Sequence, residues 1–297
     1  MNHIKDQIHC ERAYRMGLSG KGIGVAVLDT GIFLHRDFDS RVTGFADMVN
    51  RRNFAYDDCG HGTHICGIIG GSGRMSGGRY SGIAPGCNLI MVKVLDRKGN
   101  GYSSDVLAGI SWVLERKEQL GIRILNISVG ACSKRGMSEN SALVKGVNRA
   151  WDAGLVVVVA AGNNGPRTMS ITTPGISRKV ITVGCSDDDR EVLVGGNWMV
   201  DYSGRGPTAA CICKPDLVAP GCSVVSCSSR ADKYTIKSGT SMSTPIVSGA
   251  VALLLERFPD MSNKDVKLRL RESSVDIGLP RNQQGWGLLD VGKMLER

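Results

Sequence analysis

Short apolar runs alternate with helix-patterned stretches along most of the chain, and this alternation is what most restricts its fold. Strand-length apolar runs lie at 23–28, 89–95, 122–127, 155–160 and 180–183. Helical patterns fall at about 62–70, 103–118, 138–153 and 241–258, and within 262–273, where Ser262 or Asn263 can cap. Strands that are apolar on both faces need cover on both faces, and parallel crossovers supply it by laying helices on the sheet. The expectation is an α/β fold: a single domain over 1–297 with a mostly parallel twisted β-sheet, helices on both faces, and residues 1–12 as an N-terminal extension. No Pro/Gly/Ser-rich linker and no internal repeat divides it. Two segments read as less regular. GSGRMSGGRYSG at 71–82 is a surface loop, and 184–215 holds irregular or antiparallel structure.

Open parallel sheets bind ligands beyond the carboxyl ends of their strands. Several of the apolar runs end in polar residues: Asp29 in AVLDTG, Ser128 in ILNISVG and Asn163 in VVVVAAGNNG. A carboxylate at Asp29 is partly desolvated and needs a donor, which an imidazole N–H supplies; an Asx turn is the plainer alternative. His61 lies between two glycines in GHGTHICGIIGG and opens a helix. His64, three residues on, shares its helix face, but the Glu of a metal-binding H-E-x-x-H is missing, so it reads as a hydrogen-bonded core residue. Ser241, in SGTSMSTPIVSGAVALLLERF, precedes a long apolar run. A serine there has free backbone N–H groups at the positive end of a helix, suited to an oxyanion; an ordinary N-cap is the alternative. Pro245 falls near the first turn, where a missing N–H costs little. Asn163 offers a side-chain amide to the same oxyanion, or is a turn residue before Gly165 and Pro166.

Composition removes other classes. The net charge is +9, but lysines and arginines are scattered and aromatics are only 5%, so a nucleic-acid platform is not expected. GKGIG at 20–24 precedes a strand, where a dinucleotide fingerprint must follow one. Asp187, Asp188 and Asp189 read as a solvated acidic turn rather than a cation site. None of the ten cysteines forms a C-x-x-C pair; they are read as mostly reduced thiols. The N-terminus lacks an apolar signal core, and the apolar stretch at 155–161 is too short to span a bilayer. A cytoplasmic location without membrane association is expected, with secretion only for a processed form.

Asp29 in AVLDTG, His61 in GHGTHICG and Ser241 in GTSMSTP, in that order and with Asn163 in AAGNNGP, resemble the subtilisin-like serine peptidases. YSGIAPG, VKVLD, YSGRGPT and KPDLVAPG also fit, and the resemblance runs from about Ala13 to the end. The look is nearest to intracellular bacterial members. The resemblance implies a serine endopeptidase working through an acyl-enzyme. Ser241 is the nucleophile, His61 the general base and acid, and Asp29 its orienting carboxylate; Asn163 and the Ser241 N–H form the oxyanion hole. It also implies that Ser128, Val129 and Gly130 line one side of the S1 pocket and Ala160, Ala161 and Gly162 the other, with Thr172 at its floor. Gly99, Asn100, Gly101 and Tyr102 would flank the substrate as an edge strand. With no acidic residue assigned to S1, a broad or apolar P1 preference is expected.

Two departures stand out. Ser243 follows Met242 where the family usually has Ala, a change that should leave activity intact. The loop after His61 lacks the family's calcium-loop composition, and of the calcium ligands only Asp37 is matched. No cofactor is required, and calcium, although possible, is not supported by the loop. Expected partners are peptides or unfolded proteins and a candidate protein inhibitor, with no nucleic acid, no membrane and an open oligomeric state. The rival readings are a non-catalytic pseudoprotease on the same fold and an esterase or ligase using the same acyl-enzyme.

Overall fold

Seven strands pair in the order β2-β3-β1-β4-β5-β6-β9 in the computed structural model, which describes residues 1–130 and 139–296. The strands are β1 (Gly24–Asp29), β2 (Val42–Asp47), β3 (Asn88–Lys93), β4 (Ile122–Ile127), β5 (Val156–Ala160), β6 (Ile181–Cys185) and β9 (Leu217–Ala219). Every pairing among them is parallel. Two antiparallel hairpins stand apart, β7 (Val192–Val194) with β8 (Asn197–Met199) and β10 (Val224–Cys227) with β11 (Tyr234–Lys237). The first of these realises the antiparallel structure expected within 184–215.

The helices are α1 (Asn2–Gln7), α2 (Glu11–Arg15), α3 (His61–Gly70), α4 (Ser103–Arg116), α5 (Ala142–Asp152), α6 (Thr240–Arg257), α7 (Asn263–Ser273), α8 (Arg281–Gln284) and α9 (Val291–Met294). The pattern at 138–153 thus becomes α5, and its first residue lies outside the described residues. Ser262 caps α7, exchanging bonds with Asp265 in a capping box. Helix α6 is apolar nearly all round because it lies inside the molecule, against β4, β5, β6, β9 and α3. Leu253, Leu254 and Leu255 are each wholly buried, a burial worth about 1.5–3 kcal/mol per side chain.

The apolar runs predicted all five of the longer inner strands but not β2 or β9. Strand β2 is a half-exposed edge interrupted by Gly44, and β9 is only three residues long. The first dozen residues, expected as an extension, contribute Met1, Ile4, Ile8 and Cys10 to the main core. The acidic turn is solvated only in part, with Asp189 exposed. Asp187 Oδ1 accepts the Gly221 and Cys222 N–H groups at 2.7 and 3.1 Å, and Asp188, 3% exposed, accepts the Ser203 N–H at 2.8 Å. Burial raises the Asp188 carboxyl above its ordinary value. Among the described residues, no helix is long and apolar enough to cross a membrane.

Candidate active site

Strand β1 occupies the point where strand order turns back, with β3 on one side and β4 on the other. Connections leaving β1 and β4 diverge there and open a crevice. Asp29 is the last residue of β1 and is wholly buried. Ser128 directly follows β4, and Asn163 comes three residues after β5.

Helix α3 brings His61 to Asp29. Its approach depends on Gly62, where an added Cβ would lie 2.2 Å from the Gly31 carbonyl oxygen. The imidazole Nδ1 sits 2.8 and 2.9 Å from the two Asp29 oxygens. Oδ1 of the same carboxylate also accepts the Thr30 N–H at 2.7 Å. Burial opposes the imidazolium, but the charge and hydrogen bond of Asp29 outweigh it and hold the His61 pKa above the ordinary 6.5. His64 has no such partner. It is wholly buried, its Nε2 lies 3.1 Å from the Val224 oxygen, and burial pulls its pKa down to about 3.

Ser241 is the second residue of α6, behind Gly239, whose φ of 139° is open to glycine and strained for other residues. Its N–H belongs to the first turn and has no intrahelical acceptor. Its hydroxyl donates to the Ser128 carbonyl at 2.7 Å. Asn163 is held by Thr240, whose N–H and Oγ1 both lie 3.0 Å from Asn163 Oδ1. That contact engages the amide oxygen and leaves Nδ2 as the free end of a side chain that borders the same clefts as His61 and Ser241. Pro245 is the sixth helical residue, not a first-turn residue, so it removes the donor that would bond the Ser241 carbonyl. Ser243 is wholly buried, and its Oγ has no hydrogen-bond partner.

Two clefts meet at His61, Asn163 and Ser241. One, about 460 Å³, is bordered by Gly99, Ser128, Val129, Gly130, Ala160, Gly162 and Thr172. It continues into a smaller cleft bordered by Gly99, Asn100, Gly101, Val129 and Gly130. Thr172 is wedged between Gly130 and Gly162; an added Cβ on either glycine would fall within 2.5 Å of its side chain. One expected wall residue falls elsewhere. Ala161 is wholly buried, with its carbonyl accepting the Thr172 N–H at 2.9 Å. Tyr102 is the N-cap residue of α4 and is 79% exposed, between Gly101 and Ser103, which border the smaller cleft. The 99–102 run is not a paired strand; it leaves a turn closed by the Asp96 N–H on the Asn100 carbonyl.

Several supporting residues were not singled out from the sequence. Asp57 gathers the start of α3, accepting the Gly60 N–H, the Thr63 N–H and the Thr63 and Thr30 hydroxyls. Lys93, wholly buried, donates to the Thr30 and Leu95 carbonyls at 2.6 and 2.9 Å and to Asp58 at 2.7 Å. A lysine inside the apolar run LIMVKVL was the available signal, since an ammonium is buried only when paired. Asp37, the one match to a calcium ligand, is occupied by its own chain. It accepts the Met75 N–H at 2.9 Å and the Tyr234 hydroxyl at 2.6 Å, and its other neighbours are His35 and Cys227. Calcium takes six to eight oxygens, and this set does not fit it.

Comparison with known proteins identifies the family. The model of the subtilase family matches residues 20–287. Serine protease AprX of Bacillus subtilis (strain 168) is 42% identical over 285 residues, covering 90% of this chain, which spans 64% of that protein's length. Subtilisin DY of Bacillus licheniformis is 32% identical over 286 residues, covering 96% of this chain and 94% of its own. The solved structure of sphericase superposes with a TM-score of 0.77 at 31% identity, covering 92% of this chain and 93% of its own. With its parallel sheet, its His61 bonded to the buried Asp29 and a serine opening the central helix, the chain belongs to the subtilase family of serine peptidases.

Proposed function

We propose that the protein is a serine endopeptidase whose catalytic groups are Asp29, His61 and Ser241. The observation that carries this reading is the His61 Nδ1 within 2.8 and 2.9 Å of both oxygens of a buried carboxylate, in the cleft that also holds Ser241 and Asn163. The Asp29 acceptor keeps the Nδ1 proton in place, so Nε2 is free to accept another. Rotation of the Ser241 side chain from the Ser128 carbonyl toward Nε2 readies the nucleophile. Oγ then bonds the scissile carbonyl carbon, and its proton moves to Nε2. Negative charge on the carbonyl oxygen meets the Ser241 N–H and the Asn163 amide. Collapse breaks the C–N bond as Nε2 returns the proton to the leaving amine. Water then bonds the acyl carbon as it gives a proton to the same nitrogen; the C–Oγ bond breaks, Nε2 returns the proton to Oγ, and the acid leaves.

The walls of the first cleft favour a broad or apolar P1 residue. Among the described residues it is bordered by Lys98 and Lys237 and by no carboxylate, so a cationic side chain has no counter-charge there. The nine described cysteines are free thiols, which suits a reducing compartment such as the cytoplasm. Casein hydrolysis should disappear in Ser241→Ala, and a fluorophosphonate should label Ser241 of the native protein. Unchanged hydrolysis in the variant refutes the mechanism; a folded native protein that is neither labelled nor active is the pseudoprotease. Turnover of esters without amides would instead favour the esterase.

A further inference from the structure

The second cleft at the catalytic groups, about 680 Å³, shares His61, Asn163, Gly195, Lys237 and Ser241 with the first and takes the rest of its border from other segments. It is bordered by neither 99–101 nor 128–130, the segments to which the family resemblance assigns the acyl half of a substrate. Its sides come from the two antiparallel hairpins, β7–β8 and β10–β11. A carbonyl held at Ser241 and Asn163 sends its acyl portion into the first cleft, so the amine portion leaves through the second.

The hairpin β7–β8 is two-faced. Val194, 4% exposed, packs with Cys185, Tyr202 and Cys222, and Val192 and Met199 pack against that cluster. Leu193 and Trp198 pair across the strands on the opposite face, 52% and 69% exposed. Ile236 of β11, 63% exposed, borders the same cleft. A two-stranded ribbon gains little stability by itself, and large apolar side chains gathered in water mark a surface that takes an apolar occupant. Glu191 and Lys237 also border the cleft, so it carries no single sign of charge.

We infer that Leu193, Trp198 and Ile236 form a subsite for bulky apolar side chains at the first and second residues beyond the scissile bond. The inference rests on the endopeptidase reading and adds a preference on the leaving-group side. An apolar side chain filling such a subsite is worth roughly tenfold or more in kcat/KM.

The test uses two internally quenched peptides that are identical up to the scissile bond and continue with Leu-Leu or with Gly-Gly. The native enzyme should cleave the Leu-Leu peptide roughly tenfold more efficiently. Trp198→Ala and Ile236→Ser should each cut that ratio to below about threefold, and Trp198→Phe should retain most of it. Leu193→Gln, on the same exposed face, gives a second reading should Trp198→Ala fold poorly. Equal cleavage of both peptides by the native enzyme, or a full ratio retained in Trp198→Ala and Ile236→Ser, overturns the subsite. A peptide p-nitroanilide, which has no residue beyond the scissile bond, reports separately on the endopeptidase reading. If native enzyme cleaves none of the three substrates, that reading falls and the subsite falls with it.

Discussion

Replacing Asp29 by Asn removes a charge while keeping the shape. In the folded protein Asp29 Oδ1 accepts the Thr30 N–H at 2.7 Å. An asparagine retains that bond by placing its oxygen there, which puts its NH₂ where Oδ2 now lies 2.9 Å from His61 Nδ1. The amide then donates to Nδ1 and drives the ring proton to Nε2, the nitrogen that has to receive the serine proton. The imidazolium formed during reaction also loses its counter-charge. Opposite unit charges ~4 Å apart attract by about 4 kcal/mol at an effective dielectric near 20. A loss of that size corresponds to roughly a thousandfold in kcat/KM. The assay is kcat/KM on a peptide p-nitroanilide across pH. In the native enzyme activity should rise with pH as His61 loses its proton, with a midpoint above 6.5 because Asp29 holds the pKa up. In Asp29→Asn the residual activity should show that midpoint moved to lower pH. A fall of less than tenfold in a variant of native melting temperature, or an unmoved midpoint, refutes the reasoning.

Further outcomes follow from the neighbours of the pair. His64, with a folded pKa of about 3 against an ordinary 6.5, is protonated first in the unfolded chain as pH falls, so acid weakens the fold. Between pH 7 and pH 5 this costs about 2 kcal/mol. Urea unfolding of Ser241→Ala, which avoids self-digestion, should show that loss, and the Ser241→Ala, His64→Gln double variant should show less pH dependence; equal slopes contradict it. Thr240→Val removes one of the two bonds that fix Asn163 and should lower kcat up to about tenfold with KM nearly unchanged. Steady-state kinetics giving a raised KM at constant kcat would deny Thr240 this positioning role.

The residues now proposed for catalysis could be read from the sequence because each stands where local chemistry leaves a mark. Asp29 interrupts an apolar run at its carboxyl end, His61 sits between glycines, and Ser241 opens an apolar helix. Their supports left weaker marks. Thr240 resembles any cap residue, and Asp57 acts on backbone donors that exist only once α3 has formed. Ala161 was misplaced because adjacent residues differ by orientation, and a local string does not fix orientation outside a regular element. The solvated reading holds for Asp189 and fails for Asp187 and Asp188, whose donors come from Ser203, Gly221 and Cys222, well along the chain. The hairpins escaped detail because their strands of three and four residues are too short for periodicity to register.

The distribution of the reacting groups along the chain has a consequence for synthesis. Asp29 and His61 leave the ribosome before Ser241, which rides on a helix that ends at Arg257 and has β4, β5, β6 and β9 as its seat. A growing chain therefore carries the proposed base without the proposed nucleophile until that helix has been made. Under the proposed mechanism, translation products that stop short of it hold no serine with which to hydrolyse the proteins around them.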